Sequence, residues 1–207
     1  MKPVQDLQQQ NAILREKTPA EIIAWALEIA KNPIITTNFG PYSASLLHAC
    51  SMQKKDMVVI WCDTGFNTSQ TYAHATEVTK KLQLNLKVYK PVLETSFIKF
   101  FYGVPQPGEA KHVLFTEMVK LEPFRRAIQE HQPDVWFTNI RKGQTAYRDT
   151  LDILSVTQSG VLKVSPFYHY TTKEVYQYLQ EHHLPNEFEY FDPTKVVDNR
   201  ECGIQLT

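Results

Sequence analysis

The sequence is poor in cysteine: its 207 residues contain three, and they lie far apart. There is no C-x-x-C motif or adjacent pair, which excludes a zinc site or a conventional iron–sulfur cluster built from cysteine alone. Three scattered thiols are also too few for a disulfide scaffold. Cys50 and Cys62 lie in apolar segments, and we expect both to be inert core residues. Cys202 instead stands in the polar run DNRECG, where no core is available to bury it.

The sequence also lacks a charge surplus and any long apolar run. Lysine plus arginine number 22 and aspartate plus glutamate number 22, so the net charge is zero. This balance argues against a protein whose main task is to coat nucleic acid or an anionic membrane. No apolar run approaches the ~20 residues needed to span a bilayer, and the opening segment MKPVQDLQQQ has no apolar signal core. We therefore expect a cytoplasmic protein with neither nucleic acid nor membrane as a partner.

No internal repeat, low-complexity block or Gly/Ser linker divides the chain. Its 43% of hydrophobic residues is enough for a substantial core. We predict one domain over residues 1–191, followed by a tail over residues 192–207 that carries Cys202. Residues suited to turns flank this tail, and we expect it to be mobile until a ligand binds.

Hydrophobic periodicity predicts strands that alternate with helices. The first predicted helix begins at a T-x-x-E capping box at Thr18 and runs to about residue 31, and the last begins at a second box at Thr171. Predicted strands cover residues 34–37, 57–62, 86–91, 135–140, 153–157 and 161–165. Residues 92–115 read as a looser stretch, and a helix follows around 116–131. This alternation predicts an α/β fold with a mostly parallel sheet and helices on both faces.

Three polar loops follow predicted strands, and ligands of open α/β sheets bind at the carboxyl ends of strands. The first loop offers backbone N–H groups, hydroxyls and an amide ahead of a helix, as a phosphate cradle would. Its candidates are Thr36, Thr37, Asn38, Gly40 and Ser43. The loop is neither a Walker A motif nor G-x-G-x-x-G, and an ordinary strand–helix turn explains it equally well.

The third loop is the more specific one, because it clusters cations in a chain without net charge. Guanidinium groups bind phosphate or sulfate in bidentate fashion. The candidates for such a polyanion site are Arg141, Lys142, Gln144 and Arg148; the alternative is a solvated surface loop. The second loop offers Asp63, Thr64 and Gly65, which suit either a ribose hydroxyl or a tight turn.

Several motifs then carry a family resemblance, from about residue 30 onward. They are TTNFGPYSASLLH, WCDTGFNTSQTY, VKLEPFRRAI, WFTNIRKGQTAYR, LKVSPFYHYTTKEVYQYL and the closing RECGIQ. In this order they resemble the adenylyl-sulfate and phosphoadenylyl-sulfate reductases of assimilatory sulfate reduction. These enzymes are members of the PP-loop ATP pyrophosphatase-like superfamily.

The resemblance implies a reaction and assigns residues to it. Cys202 would attack the sulfur of a bound sulfonucleotide, and thioredoxin or glutaredoxin would then release sulfite. Phe39 and Gly40 would replace the Gly-Gly of ATP-using relatives. Supporting positions in the matching motifs are Lys120, Glu122, Lys163, Arg200, Glu201 and Gln205. The implied reaction needs no metal, because its substrate is already activated, and three separated cysteines cannot supply the thiolates of an iron–sulfur cluster. The resemblance also allows a homodimer.

The sequence departs from the family at the residue after ECG-x, which is Gln205 where the family has histidine. The tail is also shorter than in typical phosphoadenylyl-sulfate reductases. These departures leave three alternatives to 3′-phosphoadenylyl sulfate reduction. They are reduction of adenylyl sulfate, nucleotidyl transfer by an enzyme similar to flavin-adenine-dinucleotide synthetase, and sulfonucleotide binding without turnover.

Overall fold

The computed structural model describes residues 6–106, 108–194 and 204. Its α-helices are Leu7–Leu14 (α1), Pro19–Ile29 (α2), Ser43–Gln53 (α3), Ser69–Leu82 (α4), Thr95–Tyr102 (α5), Ala110–Thr116 (α6), Glu122–His131 (α7) and Thr172–Glu181 (α8). Its strands are Pro33–Thr37 (β1), Val58–Cys62 (β2), Asn85–Tyr89 (β3), Val135–Phe137 (β4), Leu154–Val156 (β5) and Leu162–Val164 (β6). A π-helical turn, Glu117–Leu121, joins α6 to α7, and a 3₁₀ turn covers Arg148–Thr150.

The six strands form one sheet in the order β3-β2-β1-β4-β6-β5. All neighbouring pairs are parallel except β5 with β6 at the edge, which are antiparallel. The predicted α/β fold with a mostly parallel sheet is therefore confirmed. From β1 the chain proceeds outward through β2 and β3, then returns to place β4 on the other side of β1. This reversal makes the carboxyl ends of β1 and β4 the switch point of the sheet.

Alternate residues of the central strands point to opposite faces of the sheet, and each face has its own apolar cluster. Ile35, Val59 and Phe137 belong to a large cluster that includes residues of α2, α3 and α8. Ile34 and Trp136 belong to a smaller cluster that includes residues of α7. This period-2 division is what a sheet buried on both faces requires. None of the described helices is long and apolar enough to cross a membrane.

The two predicted capping boxes are confirmed. Thr18 and Glu21 exchange side-chain and backbone hydrogen bonds at the start of α2, as Thr171 and Glu174 do at the start of α8.

The prediction that the first helix begins at Thr18 is wrong, because α1 precedes it. Buried Asn11 of α1 donates to the carbonyl of Leu154 (3.1 Å) and accepts from its N–H (2.8 Å). This contact with a distant strand stabilises a helix that is too polar to be predicted.

The stretch read as loose, residues 92–115, contains α5 and most of α6. Both helices pack inward through a third apolar cluster formed by Ile98, Phe115 and Val119.

The predicted tail boundary also differs from the structure. Asp192 and Thr194 are 6% and 2% exposed, so the described start of the predicted tail belongs to the main body. Residues 195–203 and 205–207 lie outside the described residues, and the mobility predicted for them stays a prediction.

Candidate functional site

A cavity of about 520 Å³ opens at the carboxyl ends of β1 and β4, at the switch point. It brings together candidates from the first and third polar loops, which are about one hundred residues apart in sequence. The candidates that line it are Thr36, Thr37, Asn38, Gly40, Ser43, Lys120, Arg141, Gln144 and Arg148. Convergence of these two loops is therefore a property of the folded chain.

The first loop is held in shape by its own side chains. Asn38 accepts a hydrogen bond from the N–H of Gly40 (3.1 Å) and donates one to the hydroxyl of Tyr190 (2.7 Å). Phe39 does not line the cavity. Its backbone takes a positive φ of 50°, and its ring is buried edge-on against Trp61 at 5.0 Å. Phe39 thus anchors the loop from beneath and leaves the neighbouring polar groups on the cavity side.

The loop leads into α3 with its polar groups already oriented. Tyr42, at the N-cap, adopts a left-handed conformation with φ 65°. Its N–H donates to Asn186 (2.8 Å) and its carbonyl accepts from Asn139 (3.2 Å), so two side chains hold the backbone there. The Ser43 hydroxyl and the Asn139 amide oxygen are buried with no hydrogen-bond partner among the described residues. Both residues line the cavity, and a buried polar atom without a partner is a group that a ligand or a water molecule can satisfy.

Two arginines from the third loop form a second wall of the cavity. Arg141 and Arg148 are 6% and 9% exposed, and Gln144 accepts from the Arg141 N–H (2.9 Å) and from Nη1 of Arg148 (2.5 Å). The Arg141 guanidinium lies 5.2 Å from the Tyr42 ring and donates to Thr172, while its Nε has no partner among the described residues. Burial, with the neighbouring Arg148 adding to it, lowers the pKa of Arg141. Such a cationic wall favours an anionic ligand.

Other sequence candidates lie outside the cavity lining. Lys142 is exposed, and its backbone N–H donates to Tyr168 (2.9 Å). Lys163 is buried, with its ammonium 4.9 Å from the Trp136 ring. Glu122 pairs with Arg126 on α7 at 2.6 Å. None of the three lines the cavity, so fewer positively charged side chains face the cavity than the cluster in the sequence indicated.

The Asp63-Thr64-Gly65 segment forms a tight turn and does not line the cavity. One carboxylate oxygen of Asp63 accepts from the Gly65 N–H (3.0 Å), the Asn67 amide (2.7 Å) and the Tyr72 hydroxyl (2.9 Å). Burial and then the Asp63 carboxylate raise the pKa of Tyr72 to about 12. Gly65 has φ 79°, and a β-carbon there would lie 2.2 Å from the Thr95 hydroxyl. Of the two sequence interpretations, the structure shows the turn; ribose binding stays a prediction.

The third wall comes from the segment after α8, which sequence reasoning missed because it was assigned to the domain edge and a mobile tail. Lys120, in the π-helical turn, forms a buried ion pair with Asp192 and donates to the Thr194 hydroxyl at 3.1 Å. The Tyr190 hydroxyl donates to Asp192 (3.2 Å), which connects this pair to Asn38 of the first loop. Burial alone would raise the pKa of Asp192, but the Lys120 charge and the Thr194 hydrogen bonds lower it to about 2.

The predictions for the three cysteines have three different outcomes. Cys50 is fully buried, as predicted, and burial raises the pKa of its thiol. Cys62 was expected to be inert core, yet it is half-buried and lines the cavity, because it ends β2 on the face that carries α7. Cys202 lies outside the described residues, as do Arg200, Glu201 and Gln205. Ile204 is described: it is 8% exposed, packs in the cluster with Ile34 and Trp136, and lines the cavity.

No group of three or more histidine, cysteine, aspartate or glutamate side chains that could hold a metal ion occurs within the part of the chain that the structure describes.

Comparisons with known proteins indicate one family. A family model described as "Phosphoadenosine phosphosulfate reductase domain" matches residues 32–190. A phosphoadenosine 5′-phosphosulfate reductase of Synechococcus sp. is 34% identical over 84% of this chain and 76% of its own length. The enzyme of the same name from Klebsiella pneumoniae is 37% identical over 86% of this chain and 73% of its own length.

Solved structures give the same result. The phosphoadenylyl-sulfate reductase of Candida auris, in a phosphate complex, superimposes with a TM-score of 0.77 at 27% identity, covering 90% of both chains. The FMN adenylyltransferase of Candida glabrata superimposes with a TM-score of 0.60 at 12% identity, over 90% of this chain and 60% of its own. The latter likeness shows a shared fold alone.

Proposed function

Because the chain belongs to the phosphoadenosine phosphosulfate reductase family, whose members are oxidoreductases, we propose that it reduces 3′-phosphoadenylyl sulfate to sulfite. The second product is adenosine 3′,5′-bisphosphate, and the electrons come from thioredoxin or glutaredoxin. One observation carries the proposal. Arg141 and Arg148 lie buried in the switch-point cavity, and Ile204, two residues from the Cys202 of the closing RECGIQ motif, lies there too.

The arginine wall suits the first step, which is binding of a polyanion. The substrate carries phosphate and sulfate groups, and guanidinium groups pair with both in bidentate geometry. The Ser43 hydroxyl can donate to a phosphate oxygen, and the Asn139 amide oxygen can accept from a sugar hydroxyl; neither atom has a partner among the described residues. A ligand that satisfies these groups removes the free-energy cost of burying them unpaired. We assign nucleotide binding to this wall and the first loop.

We assign the nucleophile to Cys202. Its thiolate attacks the sulfur of the sulfonate group, the bond from that sulfur to the bridging oxygen breaks, and the electron pair leaves with the nucleotide phosphate. The enzyme then carries S-sulfocysteine. Two residues of chain span at most about 7 Å, so the position of Ile204 in the cavity supports this assignment. Neighbouring cations favour the thiolate form of cysteine and also stabilise charge on the leaving phosphate.

The second half-reaction requires a dithiol protein. One donor thiolate attacks the sulfur of Cys202 and sulfite departs with the electron pair of the broken sulfur–sulfur bond. The second donor thiol then resolves the mixed disulfide, which leaves the donor oxidised and Cys202 reduced. The chemistry consumes two electrons and uses neither a metal nor an iron–sulfur cluster.

The test of this function is sulfite release from each of the two sulfonucleotides with reduced thioredoxin present. We expect a higher kcat/KM for 3′-phosphoadenylyl sulfate than for adenylyl sulfate, in keeping with the relatives' names. The reverse order would assign the chain to adenylyl-sulfate reduction. Binding of both nucleotides without any sulfite release would instead favour the non-catalytic alternative.

We expect Arg141→Gln to weaken binding of adenosine 3′,5′-bisphosphate by about 10- to 100-fold, the effect of losing one or two charge-assisted hydrogen bonds. Lys142→Gln is the matched control, because this neighbour lies outside the cavity lining and should change the affinity less than about threefold. Isothermal titration calorimetry measures both. Equal losses in the two variants would mean that general electrostatic attraction, and not the buried wall, holds the nucleotide.

A further inference from the structure

Trp136 of β4 is a core residue whose side-chain N–H lies next to the cavity. Its side chain is 1% exposed, and its Nε1–H donates to the Thr36 hydroxyl at 2.8 Å. Ile34 of β1 lies beside Trp136 in the parallel register, and Thr36 follows two residues later, on the same face of the strand. Thr36 lines the cavity and Trp136 does not. The indole therefore contacts the site through Thr36.

Two buried neighbours hold the indole ring in place. The Phe124 ring centroid lies 5.2 Å from that of Trp136, and the Lys163 ammonium lies 4.9 Å from it. Tryptophan is the aromatic side chain that attracts a cation most strongly to its face. Because side chains in a packed core keep one rotamer, the direction of the Trp136 N–H is fixed. Thr36 therefore meets a rigid donor.

This hydrogen bond determines what the Thr36 hydroxyl can do. A hydroxyl has one proton and two lone pairs, whereas an indole N–H can only donate. Because Trp136 donates to the Thr36 oxygen, the Thr36 proton requires an acceptor elsewhere. The hydrogen bonds among the described residues include no acceptor for it. The proton is therefore available to a ligand in the cavity that Thr36 lines.

We propose that Trp136 is a positioning residue, which fixes the Thr36 hydroxyl as a hydrogen-bond donor to an anionic oxygen of the sulfonucleotide. This role rests on the proposed function for the identity of the ligand. Sulfate and bridging phosphate oxygens carry no proton at neutral pH, so they can accept from Thr36. A hydroxyl that already accepts one hydrogen bond is polarised and donates more strongly. A donor that is ordered before the ligand binds also loses less entropy on binding.

The experiment is a double-mutant cycle on binding of adenosine 3′,5′-bisphosphate, measured by calorimetry. Thr36→Val removes the hydroxyl and should weaken binding about 10-fold, as expected for one hydrogen bond to a charged group. Trp136→Phe keeps an aromatic ring and removes the N–H, and should weaken binding about fivefold. The double variant should bind within about twofold of Thr36→Val alone, because the indole acts only through the hydroxyl.

A merely structural role for Trp136 gives a different result. The two losses would then multiply to about 50-fold in the double variant, and that outcome would overturn the proposal. So would an unchanged affinity of Trp136→Phe. The matched control is Trp25→Phe, the same substitution at a half-buried residue of α2 that packs against the cluster on the other face of the sheet. Its affinity should stay within about twofold of the wild type.

Sulfite release by the wild type, measured in parallel, separates this role from the proposed reaction. Nucleotide binding with the expected cycle but without sulfite release would refute the reaction and leave the positioning role intact. A wild type that does not bind the nucleotide would overturn both.

A second measurement serves if Trp136→Phe fails to fold, as judged by circular dichroism. The chain has three tryptophans, and the indole N–H resonance of Trp136 is the one that Thr36→Val moves in a ¹⁵N-correlated NMR spectrum. Adding adenosine 3′,5′-bisphosphate to the wild type should move the same resonance downfield, because a hydrogen bond from Thr36 to the ligand strengthens the one from Trp136. A resonance that responds to Thr36→Val and not to the nucleotide would contradict the proposal.

Discussion

Cys202→Ser is expected to abolish sulfite release, with a loss of about a thousandfold or more, the scale seen when a nucleophile is removed. A serine hydroxyl stays protonated at neutral pH, and the attack on sulfur requires a thiolate. Binding of adenosine 3′,5′-bisphosphate should persist, because the arginine wall and the first loop lie on other elements. Steady-state sulfite assays and calorimetry measure the two effects separately.

The covalent intermediate gives a sharper readout of the same prediction. Incubated with 3′-phosphoadenylyl sulfate and no thiol donor, the wild type should gain the mass of one SO₃ group on the peptide that contains Cys202. Cys62→Ser is the matched control, since Cys62 is the described cysteine that lines the cavity. This variant should still form the adduct at Cys202. An adduct on Cys62, or turnover by Cys202→Ser near the parent rate, would refute the mechanism.

Asp192→Asn is expected to reduce the free energy of unfolding by about 3 kcal/mol or more, because it leaves the Lys120 ammonium buried opposite a neutral amide. Lys120 and Asp192 are 4% and 6% exposed, so water cannot readily replace the lost partner. Urea denaturation monitored by circular dichroism gives the difference. The control is Glu117→Gln, which removes an ion pair with Arg125 on the same helical stretch. The Glu117 and Arg125 side chains are 37% and 53% exposed. There we expect a loss below about 1 kcal/mol.

The pH dependence of this effect has a defined direction. The pKa of Asp192 is about 2 in the folded protein and about 3.9 in an unfolded chain. Because the pKa of Asp192 is lower in the folded protein than in the unfolded chain, its ionised carboxylate stabilises the folded state at pH values above about 4. This stabilisation, on the order of 2.5 kcal/mol, is lost as the pH falls from about 4 towards 2. The stability difference between wild type and Asp192→Asn should therefore shrink below pH 4. A difference that stays constant down to pH 3 would mean that the Asp192 charge does not provide the stabilisation.

Much of the fold could be predicted from local patterns. The capping boxes at Thr18 and Thr171 depend on hydrogen bonds between residues three apart, so the sequence alone sets them. The alternation of strands and helices likewise set the parallel sheet, and the sheet in turn brought the polar loops after β1 and β4 to one edge. The position of Arg141, Gln144 and Arg148 on the cavity, where we propose that they bind the nucleotide, follows from that same reasoning.

The sequence could not determine on which side of a loop each side chain lies, or which distant residue that side chain contacts. Phe39 turns into the core, and Lys142 turns away from the cavity that Arg141 lines. Their neighbours in sequence carry no signal of this, because packing against distant elements decides it.

The longest-range contacts needed the tertiary structure most. Lys120 lies 72 residues from Asp192, and Asn38 lies 152 residues from Tyr190. A buried ammonium ion requires a partner because desolvation is costly, but that requirement does not say which carboxylate supplies it. Only the packed chain brings the segment after α8 across the cavity, and it thereby makes a wall of the site from residues that the sequence assigned to a domain edge and a tail.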